Sequence, residues 1–123
     1  MAHKILVVDD DRIHVALVKF GLAERGYAVM VARDGVEGIA VVKNEAPDLI
    51  ILDIVMPHMN GFEFMNELKS LQGFVTTPVI MLTSNETMGE IFRLEGVKGY
   101  FIKPVKLPDL MRKIEECLGP YKL

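Results

Sequence analysis

Short apolar runs recur along the chain, and four of them end abruptly in polar side chains. Residues 5–8 are followed by Asp9, Asp10 and Asp11, residues 49–52 by Asp53, residues 79–82 by Thr83, and residues 100–102 by Lys103. Unbroken apolar runs of this length are typical of strands that are buried on both faces of a parallel sheet. The segments between the runs carry apolar residues at helical spacing. The pattern therefore predicts alternating strands and helices.

The predicted elements form five βα units. Strands are predicted at 4–8, 28–31, 48–52, 79–82 and 100–102, and helices at 12–25, 36–44, 62–71, 86–94 and 108–118. Alternation at these lengths predicts an α/β fold, in which right-handed crossovers place helices on both faces of a doubly wound parallel sheet.

The polar ends of the strands are predicted to meet in one site. In an open α/β sheet, ligands bind beyond the carboxyl ends of the strands, near the point where the strand order reverses. If the four strands share one sheet, this edge carries Asp9, Asp10, Asp53, Thr83 and Lys103. Clustered carboxylates favour a divalent cation, and the hydroxyl and ammonium groups favour a phosphoryl group.

Composition and charge narrow the class of protein. A chain of 123 residues is predicted to form one domain with its own core. The net charge of −3 and the dispersed lysines argue against a nucleic-acid surface. The single cysteine, Cys117, excludes an internal disulfide and lies in an apolar helical pattern that indicates packing. No apolar stretch is long enough to span a membrane, so the protein is predicted to be cytoplasmic.

Five segments together resemble one protein family. They are residues 5–11 (ILVVDDD), 47–57 (PDLIILDIVMP), 59–61 (MNG), 78–84 (PVIMLTS) and 99–104 (GYFIKP). Over its whole length the chain resembles the receiver domain of response regulators in two-component signalling. The resemblance implies a flavodoxin-like (βα)5 fold with strand order 2-1-3-4-5. It also implies a single receiver domain over 1–123 with no output domain, either as a whole protein or as a fragment of a longer regulator.

The resemblance implies a phosphorylation site built around Asp53. This residue would accept a phosphoryl group from a histidine kinase or a phosphotransfer protein. Asp9, Asp10 and Asp53 would hold Mg²⁺ together with the backbone carbonyl of Val55. The expected function is a phosphorylation-controlled switch, and the expected cofactor is Mg²⁺.

The remaining site residues are expected to transmit the signal. By resemblance, Lys103 would pair with a phosphoryl oxygen, and its peptide bond to Pro104 would be cis. The Thr83 hydroxyl would move toward the phosphate, and Tyr100, at the switch position of the family, would fill the vacated space. The face formed by the fourth predicted helix, the fifth strand and the fifth helix would then bind a downstream protein. The chain is expected to be a monomer or a weak dimer that binds neither nucleic acid nor membrane.

Other functions are weighed against this interpretation. A phosphatase of the haloacid-dehalogenase type also uses an aspartyl nucleophile, but it needs a second acid two residues later, where this chain has Val55. A flavodoxin cradles a phosphate in its first loop, which the acidic triplet at 9–11 would repel. A receiver that acts without phosphorylation would not need the complete set of site residues. By resemblance, the residues two past Asp53 and two past Thr83, here Val55 and Asn85, would tune the rate at which the phosphoryl group is lost. Valine cannot orient or deprotonate water, and an amide cannot accept a proton at neutral pH, so slow loss rather than enzymatic turnover is expected.

Two groups of residues have simpler interpretations. Asp11, which precedes an apolar-periodic segment, is predicted to be a helix N-cap rather than a ligand. The histidines, His3, His14 and His58, share no metal-ligand spacing and are predicted to be solvated or packed, although His58 lies in the loop beside the site.

The first predicted helix has apolar residues on two opposite faces. Val15, Val18 and Leu22 share one face, and the family pattern places this face inside. Ile13, Leu17 and Phe20 would then form a partly exposed stripe beside the acidic site. Such stripes often mark interaction surfaces, so this one is expected either to contact a phosphodonor or a second copy of the chain, or to be covered by neighbouring loops.

Overall fold

The computed structural model describes residues 2–54, 58–71, 73, 76–84 and 96–119. Within these residues the strands are β1 (Lys4–Val8), β2 (Ala28–Ala32), β3 (Leu49–Asp53), β4 (Val79–Thr83) and β5 (Gly99–Ile102). The helices are α1 (Arg12–Glu24), α2 (Gly35–Glu45), α3 (Gly61–Ser70) and α4 (Leu107–Leu118). The fourth predicted helix, at 86–94, lies outside the described residues, so α4 corresponds to the fifth predicted helix.

The strands form one parallel sheet in the order β2-β1-β3-β4-β5. The chain first builds outward from β1 to β2 and then crosses to the other side of β1 for β3, β4 and β5. The strand order therefore reverses at β1 and β3, and the crevice for a ligand lies beyond the carboxyl ends of these two strands. The predicted flavodoxin-like α/β fold with strand order 2-1-3-4-5 is confirmed.

The unbroken apolar runs supply two cores, one on each face of the sheet. Successive strand residues point to opposite faces, so each central strand contributes to both cores. One core packs under α2 and α3 and includes Leu6, Ile50, Val42 and Phe64. The other packs under α1 and α4 and includes Ile5, Ile51, Leu22 and Ile114.

Two strands extend one residue beyond their apolar runs, into polar residues. The sequence predicts strand ends at residues 52 and 82, whereas β3 ends at Asp53 and β4 at Thr83. Asp53 is paired with Leu82 and Thr83 with Ile102 in the parallel ladder. The ladder is built by backbone groups, so it continues where side-chain hydrophobicity stops. Asp53 and Thr83 are therefore fixed by the sheet itself.

The N-terminal cap and the buried face of α1 agree with the sequence prediction. The Asp11 side chain accepts hydrogen bonds from the backbone N–H groups of Ile13 and His14. Val18 and Leu22 are fully buried, and Val15 is half-buried. The opposite face exposes an apolar stripe, which we call the α1 stripe: its side chains are Ile13 (84% exposed), Leu17 (38%) and Phe20 (65%).

Cys117 is a packing residue, as predicted. It is half-buried on α4 and contacts the core under α1 and α4. Burial raises the pKa of its thiol, which disfavours the reactive thiolate. None of the described helices is both long enough and apolar enough to cross a membrane.

Candidate functional site

The carboxyl ends of β1, β3 and β4 and the residues that follow β5 converge on one site. Asp9 follows β1 directly, and its backbone N–H donates to the Ala32 carbonyl oxygen at 3.0 Å, which ties it to the end of β2. Asp53 and Thr83 are the last residues of β3 and β4. Lys103 follows β5, and its backbone N–H donates to the Thr83 carbonyl oxygen at 2.8 Å. The sheet therefore brings together the polar residues that the sequence placed at strand ends.

Three carboxylates form the acidic part of this site. One oxygen from each of Asp9, Asp10 and Asp53 lies within 4.8 Å of the other two. Asp9 is 1% exposed and Asp53 is 6% exposed, whereas Asp10 faces solvent. Carboxylate oxygens are the hard ligands that Mg²⁺ prefers, and Mg²⁺ is usually held by a few carboxylates together with waters. The donor set therefore fits Mg²⁺, with the exposed carboxylate on the solvent side.

The Lys103 ammonium bridges the two buried carboxylates. Its Nζ lies 3.0 Å from Asp9 Oδ1 and 3.0 Å from Asp53 Oδ2. Burial alone would lower the pKa of Lys103, but the hydrogen bonds to Asp9 and Asp53 raise it above the usual value. The ammonium form is therefore secured at neutral pH. Buried carboxylates are stable only when they are paired, and Lys103 provides that pairing when no metal is bound.

The peptide bond between Lys103 and Pro104 is cis, as predicted.

The two residues expected to act in the switch lie on neighbouring strands. Thr83, at the end of β4, is fully buried. Tyr100 is half-buried and packs against the core under α2 and α3. The functional roles of Thr83 and Tyr100 stay predictions at this point.

Asp11 caps α1, and its carboxylate accepts hydrogen bonds from backbone groups of the helix rather than facing a metal. The backbone N–H groups of His14 and Ile13 hold the pKa of Asp11 below its usual value, since they stabilise the charged form. Val55, expected to offer a backbone carbonyl to the metal, and Asn85, two residues after Thr83, both lie outside the described residues.

His14 is the site residue that sequence reasoning missed. Its side chain is only 5% exposed, and Nδ1 lies 3.2 Å from Asp9 Oδ2. The backbone N–H of Val105 donates to Nε2 at 3.3 Å. The prediction that His14 is solvated or packed did not include this contact with the acidic site. A signal was present in the sequence, because His14 lies one helical turn before Val18 on the buried face of α1.

A cleft of about 450 Å³ opens beside the acidic site. Its lining includes Asp10 and Lys103 as well as Ile13 and Leu17 of the α1 stripe. The acidic site and the exposed apolar side chains are therefore parts of one continuous surface.

Comparison with known proteins identifies a consistent set of relatives. Residues 5–115 match the profile of the response regulator receiver domain. The chain is 34% identical over 125 residues to the response regulator MprA of Mycobacterium ulcerans, covering 100% of this chain and 53% of that protein. The chain thus spans about half the length of the curated relatives it matches.

Solved structures show the same architecture. The chemotaxis protein CheY4 of Vibrio cholerae superposes with a TM-score of 0.87 at 30% identity, covering 95% of this chain and 99% of that one. The receiver domain of the sensor histidine kinase PA1611 from Pseudomonas aeruginosa has a TM-score of 0.88 at 24% identity, covering 98% of this chain and 100% of that one. That structure is described as having a magnesium ion coordinated in its active site cleft.

Proposed function

The chain belongs to the family of response regulator receiver domains, the phosphoacceptor modules of two-component signalling, and from this premise we propose that Asp53 is its phosphoryl acceptor. One observation carries the proposal: Asp53 ends β3 at the strand-order reversal, with its carboxylate 3.0 Å from the Lys103 ammonium and among the carboxylates of Asp9 and Asp10. The buried acid is thus surrounded by groups that suit a phosphoryl oxygen and a divalent cation.

The transfer step joins an anionic oxygen of Asp53 to the phosphorus of a phosphodonor that has a good leaving group. A carboxylate oxygen of Asp53 attacks the phosphorus of a phosphohistidine on a histidine kinase or a phosphotransfer protein. A P–O bond forms as the P–N bond breaks, and the histidine nitrogen leaves with the electron pair and takes up a proton. With acetyl phosphate as donor, acetate leaves instead. The product is a mixed anhydride, which is reactive and therefore reversible.

Asp9, Asp10 and Asp53 would hold Mg²⁺ together with the backbone carbonyl of Val55. When bound, the ion supplies positive charge that offsets the charge of the phosphoryl oxygens and of the clustered carboxylates. Lys103 already donates to Asp53, so its ammonium is within reach of an oxygen on a phosphorylated Asp53. It acts there as a point charge.

The switch uses residues on the neighbouring strands. Phosphorylation adds charge and acceptor oxygens at Asp53, and the Thr83 hydroxyl turns toward them from the end of β4. Tyr100, half-buried on β5, then packs into the vacated space. The phosphoryl group thereby favours one of two existing states because it interacts better with that state. The surface that changes includes β5 and α4, and it binds a downstream protein.

The product is expected to persist, and the protein is not an enzyme with turnover. Hydrolysis requires water to be oriented for attack in line, and valine at position 55 offers no hydrogen bond for this purpose. The same residue disfavours a phosphatase of the haloacid-dehalogenase type, which needs an acid at that position. We further propose a cytoplasmic location, a monomer or weak dimer, and no direct binding of nucleic acid or membrane.

Incubation with acetyl phosphate is expected to add one phosphoryl group per chain, and only when Mg²⁺ is present. EDTA should abolish the reaction, because the Lys103 ammonium offsets only part of the charge of the three carboxylates and the remaining negative charge then repels the phosphodonor. Intact-mass spectrometry measures the addition, and lability to hydroxylamine identifies an acyl phosphate. After the donor is removed, the label should persist well beyond seconds. Labelling that is equally fast in EDTA, or a hydroxylamine-stable product, would contradict the proposed function.

Phe20→Ser is expected to slow phosphoryl transfer from a histidine kinase while leaving labelling by acetyl phosphate unchanged. Phe20 belongs to the exposed α1 stripe beside the acidic site, and a large exposed apolar side chain contributes more to docking than to folding. We expect a reduction of about tenfold in the transfer rate, which corresponds to the loss of one anchoring side chain. Radiolabel transfer from a kinase that phosphorylates the wild type measures this rate.

A matched control for Phe20→Ser is Val36→Ser. Val36 is 56% exposed on α2, which packs on the other face of the sheet. The control should therefore transfer at the wild-type rate. Docking through the α1 stripe is rejected if Phe20→Ser slows both donors equally, or slows neither.

A further inference from the structure

The imidazole of His14 is buried and uses both of its ring nitrogens. Nδ1 lies 3.2 Å from Asp9 Oδ2, and Nε2 accepts the backbone N–H of Val105 at 3.3 Å. A buried imidazole is costly unless its nitrogens find partners. Here the partners come from two segments that are far apart in sequence, the end of β1 and the loop before α4.

The hydrogen bond from Val105 fixes the tautomer of His14. An N–H donor requires a lone pair on Nε2, so the ring proton lies on Nδ1. Nδ1 can then donate this proton to Asp9 Oδ2. A free imidazole in water has no such partner. In the protein, the position of the Val105 backbone N–H therefore selects the tautomer that is protonated on Nδ1.

Three donors hold the Asp9 carboxylate in one orientation. The Asp11 backbone N–H and the Lys103 ammonium both donate to Oδ1, each at 3.0 Å. His14 is the donor to the other oxygen, Oδ2. Lys103 is expected to turn toward the phosphoryl group when Asp53 is phosphorylated, and Asp9 then depends on Asp11 and His14 for its orientation.

We infer that His14 is a positioning residue, which orients the Asp9 carboxylate for metal binding and ties it to Val105 in the loop that follows Lys103. This role rests on the proposed function, because it treats Asp9 as a ligand of Mg²⁺. Groups that hydrogen-bond to metal-binding side chains orient them, and substitutions of such groups typically weaken metal affinity by 10- to 100-fold. An apolar residue in the same space would fill the core but leave Asp9 Oδ2 without this donor.

The tautomer provides a first test that needs neither metal nor phosphate. Long-range ¹H–¹⁵N correlation spectra of the labelled protein distinguish a protonated from an unprotonated ring nitrogen. We expect His14 to carry its proton on Nδ1 and a lone pair on Nε2. A spectrum that shows the opposite tautomer, or rapid averaging between the two, would overturn the inference for the wild-type protein itself.

Two variants test whether the hydrogen bonds matter for the metal. His14→Leu retains bulk but has no polar atoms, whereas His14→Gln offers an N–H donor and an oxygen acceptor. Isothermal titration with MgCl₂ alone should show about tenfold weaker binding in His14→Leu and a clear recovery in His14→Gln. Thermal unfolding without metal reports the purely structural cost of each change.

The possible outcomes separate this inference from the proposed function. If the wild type shows no Mg²⁺-dependent labelling of Asp53, the proposed function fails whatever the state of His14. If the wild type is labelled but His14→Leu binds Mg²⁺ as tightly as the wild type does, only the positioning role fails. If His14→Leu does not fold, the positioning role is still rejected by either of two results. One is weak Mg²⁺ binding by His14→Gln, and the other is a wild-type His14 that carries its proton on Nε2.

Discussion

Replacing Asp53 with Asn is expected to abolish labelling by acetyl phosphate, with a loss of at least about 100-fold in rate. The amide has nearly the same shape, and its oxygen can still accept a hydrogen bond from the Lys103 ammonium, which lies 3.0 Å from the Asp53 carboxylate in the native chain. It has no anionic oxygen, however, and cannot form the mixed anhydride. Intact-mass spectrometry after incubation with Mg²⁺ and acetyl phosphate measures the result.

Asp48→Asn is the matched control for this experiment. Asp48 lies just before β3, at the opposite end of the same strand, where its carboxylate is exposed and accepts the backbone N–H of Lys4 at 2.7 Å. The control removes the same charge at the other end of β3 but leaves the acidic site intact, so it should be labelled like the wild type. Stoichiometric labelling of Asp53→Asn would show that another residue is the acceptor.

The position of Asp53 illustrates how far the sequence determines the fold. The apolar run at residues 49–52 is unbroken because β3 is central and buried on both faces. Hydrophobicity therefore predicts the strand and its burial on both faces, whereas the strand order came from the family resemblance. It does not predict the last strand residue, since Asp53 is held in the ladder by backbone pairing with Leu82.

The same distinction applies to the site. The meeting of Asp9, Asp53 and Lys103 follows from a general rule, because the carboxyl ends of parallel strands lie at one edge of the sheet. The roles of Thr83 and Tyr100 came from the family resemblance, since a hydroxyl or an aromatic ring at a strand end has many possible uses.

His14 shows why some site residues cannot be predicted from pattern alone. Helical periodicity indicates that it faces inward with Val18, but not what it meets there. Its two partners are Asp9 and Val105, and Val105 is 91 residues away in sequence. Only the packing of α1 beside the loop before α4 brings the imidazole between them. The exposed α1 stripe was predictable because the helical repeat defines the two apolar faces of α1 and the family pattern selects the inner one.

Lys103→Met is expected to have opposite effects on two properties of the site. The rate of labelling by acetyl phosphate should fall by about 100-fold, because a preorganised donor to the phosphoryl oxygens is lost. The affinity for Mg²⁺ should instead rise by about tenfold. In the wild type, the Lys103 ammonium competes with the ion for Asp9 and Asp53 and repels it at short range, and the variant lacks this charge. Labelling rates at saturating Mg²⁺ and isothermal titration with MgCl₂ measure the two properties separately.

The rise in affinity distinguishes this account from simple damage to the site. A variant with a disordered pocket would lose both properties, whereas removal of one positive charge from a cluster of carboxylates makes that cluster a better cation site. Lys98→Met is the matched control: Lys98 precedes β5, at the end of the sheet opposite the acidic site, and its side chain is exposed. It should match the wild type in both measurements. Unchanged or weaker Mg²⁺ binding by Lys103→Met would mean that the ammonium does not compete with the metal. The pairing of Lys103 with the two buried carboxylates would then need another explanation.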